Sequence, residues 1–191
     1  MMQMMKIAEL KSGTPQFRIK ESMDPDAPVY FYFGQSEMED DLTGVETLGG
    51  TRKQIRTFDN VGTLESGDLV FSLISGKAAI IKSCHDGYLY TQNYVKIIPV
   101  SLIDVGYLTY ILNEDANIKH QLLSSQQGSA TLKSTIRQLS DLVFSVLPSI
   151  EKQKVIGELY FNQLRLAALK KKVATAETAL VIEKLKEANN P

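Results

Sequence analysis

The chain changes its hydrophobic rhythm twice, and each rhythm predicts a different kind of element. In the first half, short apolar runs and two-residue alternations are cut by turn residues. "MKIAELKSG" is a short opening segment closed by Gly13. "PQFRIKES" sets Phe17 and Ile19 against Arg18 and Lys20, which predicts a strand. "MDPDAP" is turn chemistry, and Val29–Phe33, "VYFYF", predicts a buried strand. From Gly34 to Asn60 the periodicity fades, which predicts a long loop: acidic first, then glycine-rich, then basic. Order returns with a turn at Ser66–Asp68 and a strand from Leu69 to Ile74. A break at Ser75–Gly76 follows, then a second strand from Lys77 to Ser83. Asp86-Gly87 suits a tight hairpin turn, which makes Tyr88–Pro99 the return strand.

The second half is helical. Asp104 is placed to cap "VGYLTYILNE", and "DANIKHQLLSS" predicts a further helix. "QQGS" is a break, Ser129 is placed to cap "ATLKSTIRQL", and "DLVFSVLP" predicts a strand. Ser149 follows Pro148 as an N-cap, and from Ile150 to about Ala188 there is one glycine and no proline. Such a helix is a rod of ~55–60 Å. A body of residues 1–148 would be only about 30–40 Å across. Leu159, Leu166, Val173 and Leu180 recur every seven residues, with Asn162, Leu169, Ala176 and Glu183 three residues after each. This is a coiled-coil seam, flanked by the basic cluster Lys170–Lys172. Two readings stand: a helix folded back on its own domain, or, favoured here, a projecting helix whose seam needs a partner. The expected class is α+β, with a mainly β domain at 1–148 and a long helix at 149–191.

Charge narrows the function. The chain carries a net −1, with 13 basic and 17 acidic residues up to Pro148 and 8 basic and 5 acidic after it. Any nucleic-acid contact must therefore come from local patches rather than a basic domain. No apolar run approaches the ~18 residues of a membrane span. No export signal is read at the N-terminus, and the single Cys84 fits a reducing cytoplasm. Cys84 reads as an ordinary strand residue, His85 as solvated and His120 as lying on a polar helix face. Two separated histidines and one cysteine make no typical zinc site, so no metal and no cofactor are expected.

Several stretches resemble the specificity (S) subunit of type I restriction–modification systems. "IAELKSG" resembles the start of its target recognition domain, and "LESGDLVFSLISGKAAI" its "kGDl-(L/V)-F-s" strand and following loop. "TQNYVKIIP", "YLTYILN" and "QQGS" through "IRQLSDLVFSVLPSIEKQKVI" resemble its downstream run, ending in "lP-l--Q--I". The resemblance runs from about Ile7 to Lys186. It implies a non-catalytic protein that reads one half of a split site in double-stranded DNA. It also implies a helix that pairs with another as a spacer, and docking to a DNA methyltransferase (M) subunit and, through it, to the restriction (R) subunit. A full S subunit has two recognition domains and two helical regions. One of each here resembles the half-size forms that act as homodimers. The alternative is an accessory or decoy S-like protein that binds partner subunits through the helix without reading DNA. The acidic "SEMEDDL" favours the alternative; the basic loop and the order of motifs favour the first.

Candidate DNA contacts follow from residue type. Gly49 and Gly50 allow close backbone approach, Thr51 follows them in the same DNA-facing stretch, and Arg52, Lys53 and Arg56 supply charge and a guanine-reading fork. A solvated surface loop is the equal alternative. Ser75 and Lys77 sit at a strand break, as a phosphate contact or a plain turn. Gln92 and Asn93 carry adenine-reading amides, or bond backbone on a half-buried strand. Gln127 and Ser129 precede a helix N-terminus suited to phosphate or to plain capping. "GVETLGGT" lacks the lysine of a nucleotide-binding loop. The Asn-Pro-Pro-aromatic signature of adenine methyltransferases is absent, and no catalytic constellation is found.

Overall fold

The computed structural model describes residues 2–47, 52–124 and 134–189. In chain order, its elements begin with β1 (Met2–Gln3), α1 (Met4–Ile7), β2 (Ala8–Ser12), β3 (Val29–Phe31), α2 (Gln35–Thr43) and β4 (Gln54–Arg56). They continue with β5 (Leu69–Ser72), β6 (Ala78–Ile80), β7 (Tyr94–Pro99), α3 (Val105–Glu114) and α4 (Ala116–Ser124). α5 (Ile136–Ser140), β8 (Val143–Phe144) and α6 (Ile150–Asn189) complete the chain.

The centre is a four-stranded antiparallel sheet in the order β2-β7-β5-β6. β5 is buried along its whole length because both faces of this sheet are covered. On one face Leu69, Phe71, Ala78, Val95 and Ile97 pack with Leu108, Ile111 and Leu112 of α3 and with Ile118 and Leu122 of α4. On the other, Val70, Ala79, Ile81 and Tyr94 meet Phe33, Leu64 and Met38 and Leu42 of α2. A run of apolar residues without alternation is what two-sided burial requires. β6 is the outer strand. There the Asn113 side chain imitates a neighbouring strand, accepting from Ala78 N–H (2.7 Å) and donating to Ala78 C=O (2.9 Å). A smaller sheet, β3 against β4, packs through Ile55 with Ile19 and Leu89.

Several expectations are corrected. The stretch 15–22 is not a strand: Gln16–Arg18 forms a single 3-10 turn after Pro15, and the Gln16 N–H is taken by the Gln92 side chain (2.7 Å). Only Ile19 turns inward; Phe17 is 80% exposed. Val29–Phe33 is strand only to Phe31, with Val29 and Phe31 exposed and Phe33 alone fully buried. The expected loop 34–60 contains α2 and β4. Met38 and Leu42, one turn apart, give α2 its buried face, and Glu37 accepts from the Gly34 N–H (3.0 Å) at its start. The stretch 88–99 is not the partner of β6. Gly87 does take a positive φ (77°), but the chain then crosses to pair β7 between β5 and β2. Gln92 and Asn93 lie in a turn before β7 rather than on a strand. The strand expected over 141–148 shortens to β8, and α5 starts at Ile136 under a Thr135 cap, since Thr135 Oγ1 accepts from Gln138 N–H. Ser129 lies outside the described residues.

α6 begins where the sequence places it, packs on the body over its start and projects beyond it. Its first third is part of the body: Gln153 and Gly157 are buried, and Ile156, Tyr160, Phe161 and Leu164 pack on the cores. From Leu169 onward every described residue is exposed.

Candidate nucleic-acid interface and helix surface

The joint between body and helix is tightly constrained. α6 crosses α3 at Gly157 and Gly106, so closely that a Cβ on Gly157 would lie 2.8 Å from the Gly106 carbonyl carbon and the Tyr107 nitrogen. Just before this crossing, the buried Gln153 amide makes three hydrogen bonds, all to backbone. Its Oε1 accepts from Asp104 N–H (2.9 Å), and its Nε2 donates to Pro148 C=O (2.9 Å) and Leu102 C=O (3.4 Å). Asp104 in turn caps α3 by accepting from Tyr107 N–H (2.9 Å), as the sequence predicts. One turn further along α6, the Tyr160 hydroxyl accepts from Asn113 (3.1 Å) and donates to Glu114 (3.2 Å), tying the helix to the residue that closes the β6 edge. Burial, with help from the Glu114 charge, pushes the Tyr160 phenol up to about 12.

The expected seam lies on the side of α6 that the body leaves bare. Leu159, Asn162, Leu166, Leu169, Val173, Ala176 and Leu180 are all exposed. Val155, four residues before Leu159, is also exposed and extends the apolar stripe back beside the joint. The residues that face the body, Gln153, Ile156, Gly157, Tyr160, Phe161 and Leu164, occupy the remaining positions of the same heptads.

The structure divides the candidate DNA contacts between two places. Arg52 and Lys53 are exposed on the approach to β4, above the small sheet. Arg52 Nη1 donates to the Tyr88 hydroxyl (2.9 Å), and the Lys53 ammonium stands 4.9 Å from the Tyr32 ring centre. Ser75, Lys77, Gln92 and Asn93 gather at one end of the four-stranded sheet, where β5 ends and β7 starts. Lys77 and Gln92 are exposed there. Two candidates are better accounted for by structure. Arg56 donates to the carbonyls of Pro25 (2.6 Å) and Ala27 (3.1 Å), so its charge holds the turn 24–27. Gln92 spends its carbonyl on Gln16 N–H. Gly49, Gly50, Thr51, Gln127 and Ser129 lie outside the described residues. Arg18 is a further cation that the sequence pattern hides: it is exposed and stands over the equally exposed Phe17 ring, in a stretch whose alternation makes it the polar half of a strand.

His85 and Cys84 are also placed differently from the sequence expectation. His85 is buried, with Nδ1 2.9 Å from Asp41 Oδ1, and its ring lies edge-on to Phe33 and Tyr88. Cys84 sits in the 3-10 turn Ser83–His85, not on a strand, and its thiol is exposed. His120 lies on the exposed side of α4, as the sequence predicts.

The fold is that of restriction–modification specificity subunits. The chain is similar to the HsdS subunit from Thermoanaerobacter tengcongensis, with a TM-score of 0.55 and 18% identity over 98% of this chain and 42% of that one. It is likewise similar to a chain from a structural study of complex assembly and conformational transition in the type I R-M system, with a TM-score of 0.59 and 17% identity over 97% of this chain and 43% of that one. It therefore spans about two fifths of the length of each. No family model matches the sequence, and no curated protein matches it. No helix among the described residues is long and apolar enough to cross a membrane.

Proposed function

We propose that the chain is a non-catalytic DNA-recognition unit of the type I restriction–modification kind. Its body reads one part of a split duplex sequence. Its long helix pairs with the same helix of a second copy and docks a methyltransferase subunit and, through it, a restriction subunit. The observation that carries this reading is the bare apolar stripe of α6, on a fold shared along nearly the whole chain with specificity subunits. A helix surface with leucines and valines at heptad spacing is stable in water only when covered. Arg52 and Lys53, exposed beside Tyr32 and Tyr88, are its best phosphate contacts; Lys77, at the end of the main sheet, is a second.

Selection from a random duplex library, followed by binding at several salt concentrations, tests the reading. Replacing Arg52 and Lys53 by alanine should lower the slope of log K against log salt by about 0.9 for each phosphate no longer neutralised. No sequence preference in the selected duplexes would remove DNA recognition. The acidic body, with 17 carboxylates against 13 basic residues up to Pro148, favours a second reading in that event. In it, the chain is an accessory subunit that binds partner helices without reading DNA. Retained association through α6 without DNA binding is its signature.

A further inference from the structure

Asp41, Cys84 and His85 come together at the corner where α2, the Ser83–His85 turn and α6 meet. Their ligand atoms all lie within 4.8 Å of one another. Cys84 Sγ is 3.7 Å from His85 Nδ1, which is itself 2.9 Å from Asp41 Oδ1. We propose that these three residues bind a divalent cation of the zinc class, and that the ion fastens α2 and the 83–85 turn together beneath the long helix.

Three independent features support the site. The first is an unpartnered oxygen. Asp41 is fully buried; its Oδ1 lies 2.9 Å from His85 Nδ1 and accepts from Lys82 N–H (3.1 Å), but its Oδ2 has no hydrogen-bond partner among the described residues. A buried carboxylate oxygen left bare is costly, and a cation within bonding distance removes the cost. The second is the donor set. A thiolate, an imidazole and a carboxylate suit zinc, whereas magnesium and calcium demand oxygen alone. A tetrahedral ion with bonds of about 2.0–2.3 Å holds its ligand atoms ~3.3–3.8 Å apart. The His85–Asp41 separation of 2.9 Å lies below this range and the Cys84–His85 separation of 3.7 Å within it, and all three ligand atoms stand within 4.8 Å of one another. The third is access. Asp41 and Cys84 line an open cleft of about 450 Å³, whose opposite wall is Phe161, Asn162 and Arg165 of α6. This gives the ion a path in and leaves a fourth position for water.

The charges balance. Burial, then the negative charges of Asp41 and Glu46, push the Cys84 thiol up, so without a cation it stays protonated and is no reactive nucleophile. On binding, the metal takes the thiolate and the thiol proton leaves to solvent. Because Nδ1, which faces Asp41 and Cys84, is the binding nitrogen, the neutral imidazole carries its one proton on Nε2 in the loaded site, so a proton that Nδ1 shares with Asp41 before binding moves to Nε2. Thiolate and carboxylate then neutralise the two positive charges. The cluster is invisible in sequence because Asp41 lies in an acidic run 43 residues before Cys84.

Cobalt titration of the chelator-treated chain tests this. One equivalent should bind with a thiolate-to-cobalt charge-transfer band in the near ultraviolet and strong visible bands of a four-coordinate ion, all bleached by zinc. Cys84 is exposed, so Cys84→Ser should fold normally, lose the charge-transfer band and lose the rise in melting temperature that zinc gives the native chain. Asp41→Asn and His85→Gln should each weaken binding by more than the ~10–100-fold typical of losing an outer-shell partner. Absence of one-to-one binding overturns the proposal. So does equal zinc stabilisation of Cys84→Ser, and so does unchanged affinity in both Asp41→Asn and His85→Gln.

Discussion

Replacing Gly157 by alanine puts one methyl group into the crossing of α6 and α3. Three backbone atoms stand in its way: the Gly106 carbonyl carbon and Tyr107 nitrogen at 2.8 Å, and the Gly106 Cα at 3.1 Å. Carbon contacts relax at about 3.5–4.0 Å, so the helices must part by roughly 0.7–1.2 Å. Backbone on both sides cannot rotate aside as a long side chain would, which places the cost near the top of the ~1–3 kcal/mol range for overpacking. Against this, alanine gains up to ~1 kcal/mol over glycine in a helix interior. The net expectation is a loss of about 1–2 kcal/mol, or roughly 2–8 °C in melting temperature for a chain of this size. The reciprocal change provides the control. A Cβ on Gly106 meets Asp104 Oδ1 at 3.2 Å, Gly157 Cα at 3.5 Å and the Phe161 ring at 3.7 Å, contacts that small movements absorb. Gly106→Ala should therefore be near neutral. Urea unfolding followed by circular dichroism reads both. A Gly157→Ala chain as stable as the native one, or more so, would refute the packing account, because then only the propensity gain would be acting. A Gly106→Ala chain less stable than the Gly157→Ala chain would refute the asymmetry.

Glutamate at both Leu166 and Val173 should abolish self-association in sedimentation at micromolar concentration while leaving monomer stability nearly unchanged, since both side chains are already exposed; unchanged assembly would place the pairing surface elsewhere. Tyr94 and Tyr160 have phenols pushed up to about 12, chiefly by burial, against 10.0 without perturbation. Because the folded state holds these protons more tightly, their contribution is complete below about pH 10 and disappears between about pH 10 and 12. Ultraviolet titration of tyrosinate should accordingly show two late phenols ionising together with the loss of helical signal, and fully reversible early ionisation of all eight tyrosines would contradict that burial.

The long helix is legible in the sequence because nothing interrupts it and because its seam faces water, so the heptad pattern is undiluted by packing against the body. Its near end is half legible. Gln153 stands in a motif, but its role as a clamp on Asp104, Leu102 and Pro148 depends on three backbone groups brought together by folding. α2 is hidden because two buried apolar positions, Met38 and Leu42, are too few to impose a period on a run of carboxylates, one of which, Asp41, is itself buried. The pairing of β7 is hidden because a good turn at Gly87 says that the chain reverses, not which strand it joins. Arg56 shows the limit for charged residues. Its sequence neighbours suggest a contact with phosphate, yet two carbonyls 29 and 31 residues away already hold it.

The crossing at Gly106 and Gly157 also acts as a fulcrum. From Gly157 to Asn189 the helix extends 32 residues, an arm of about 48 Å at ~1.5 Å per residue. A tilt of only about 4° at the crossing sweeps the far end through ~3.4 Å, the rise of one base pair in duplex DNA. A side chain at the crossing would thus be felt most strongly at the opposite end of the rod. The two glycines and the glutamine beside them, with its three backbone hydrogen bonds, set how far the rod can tilt against the body.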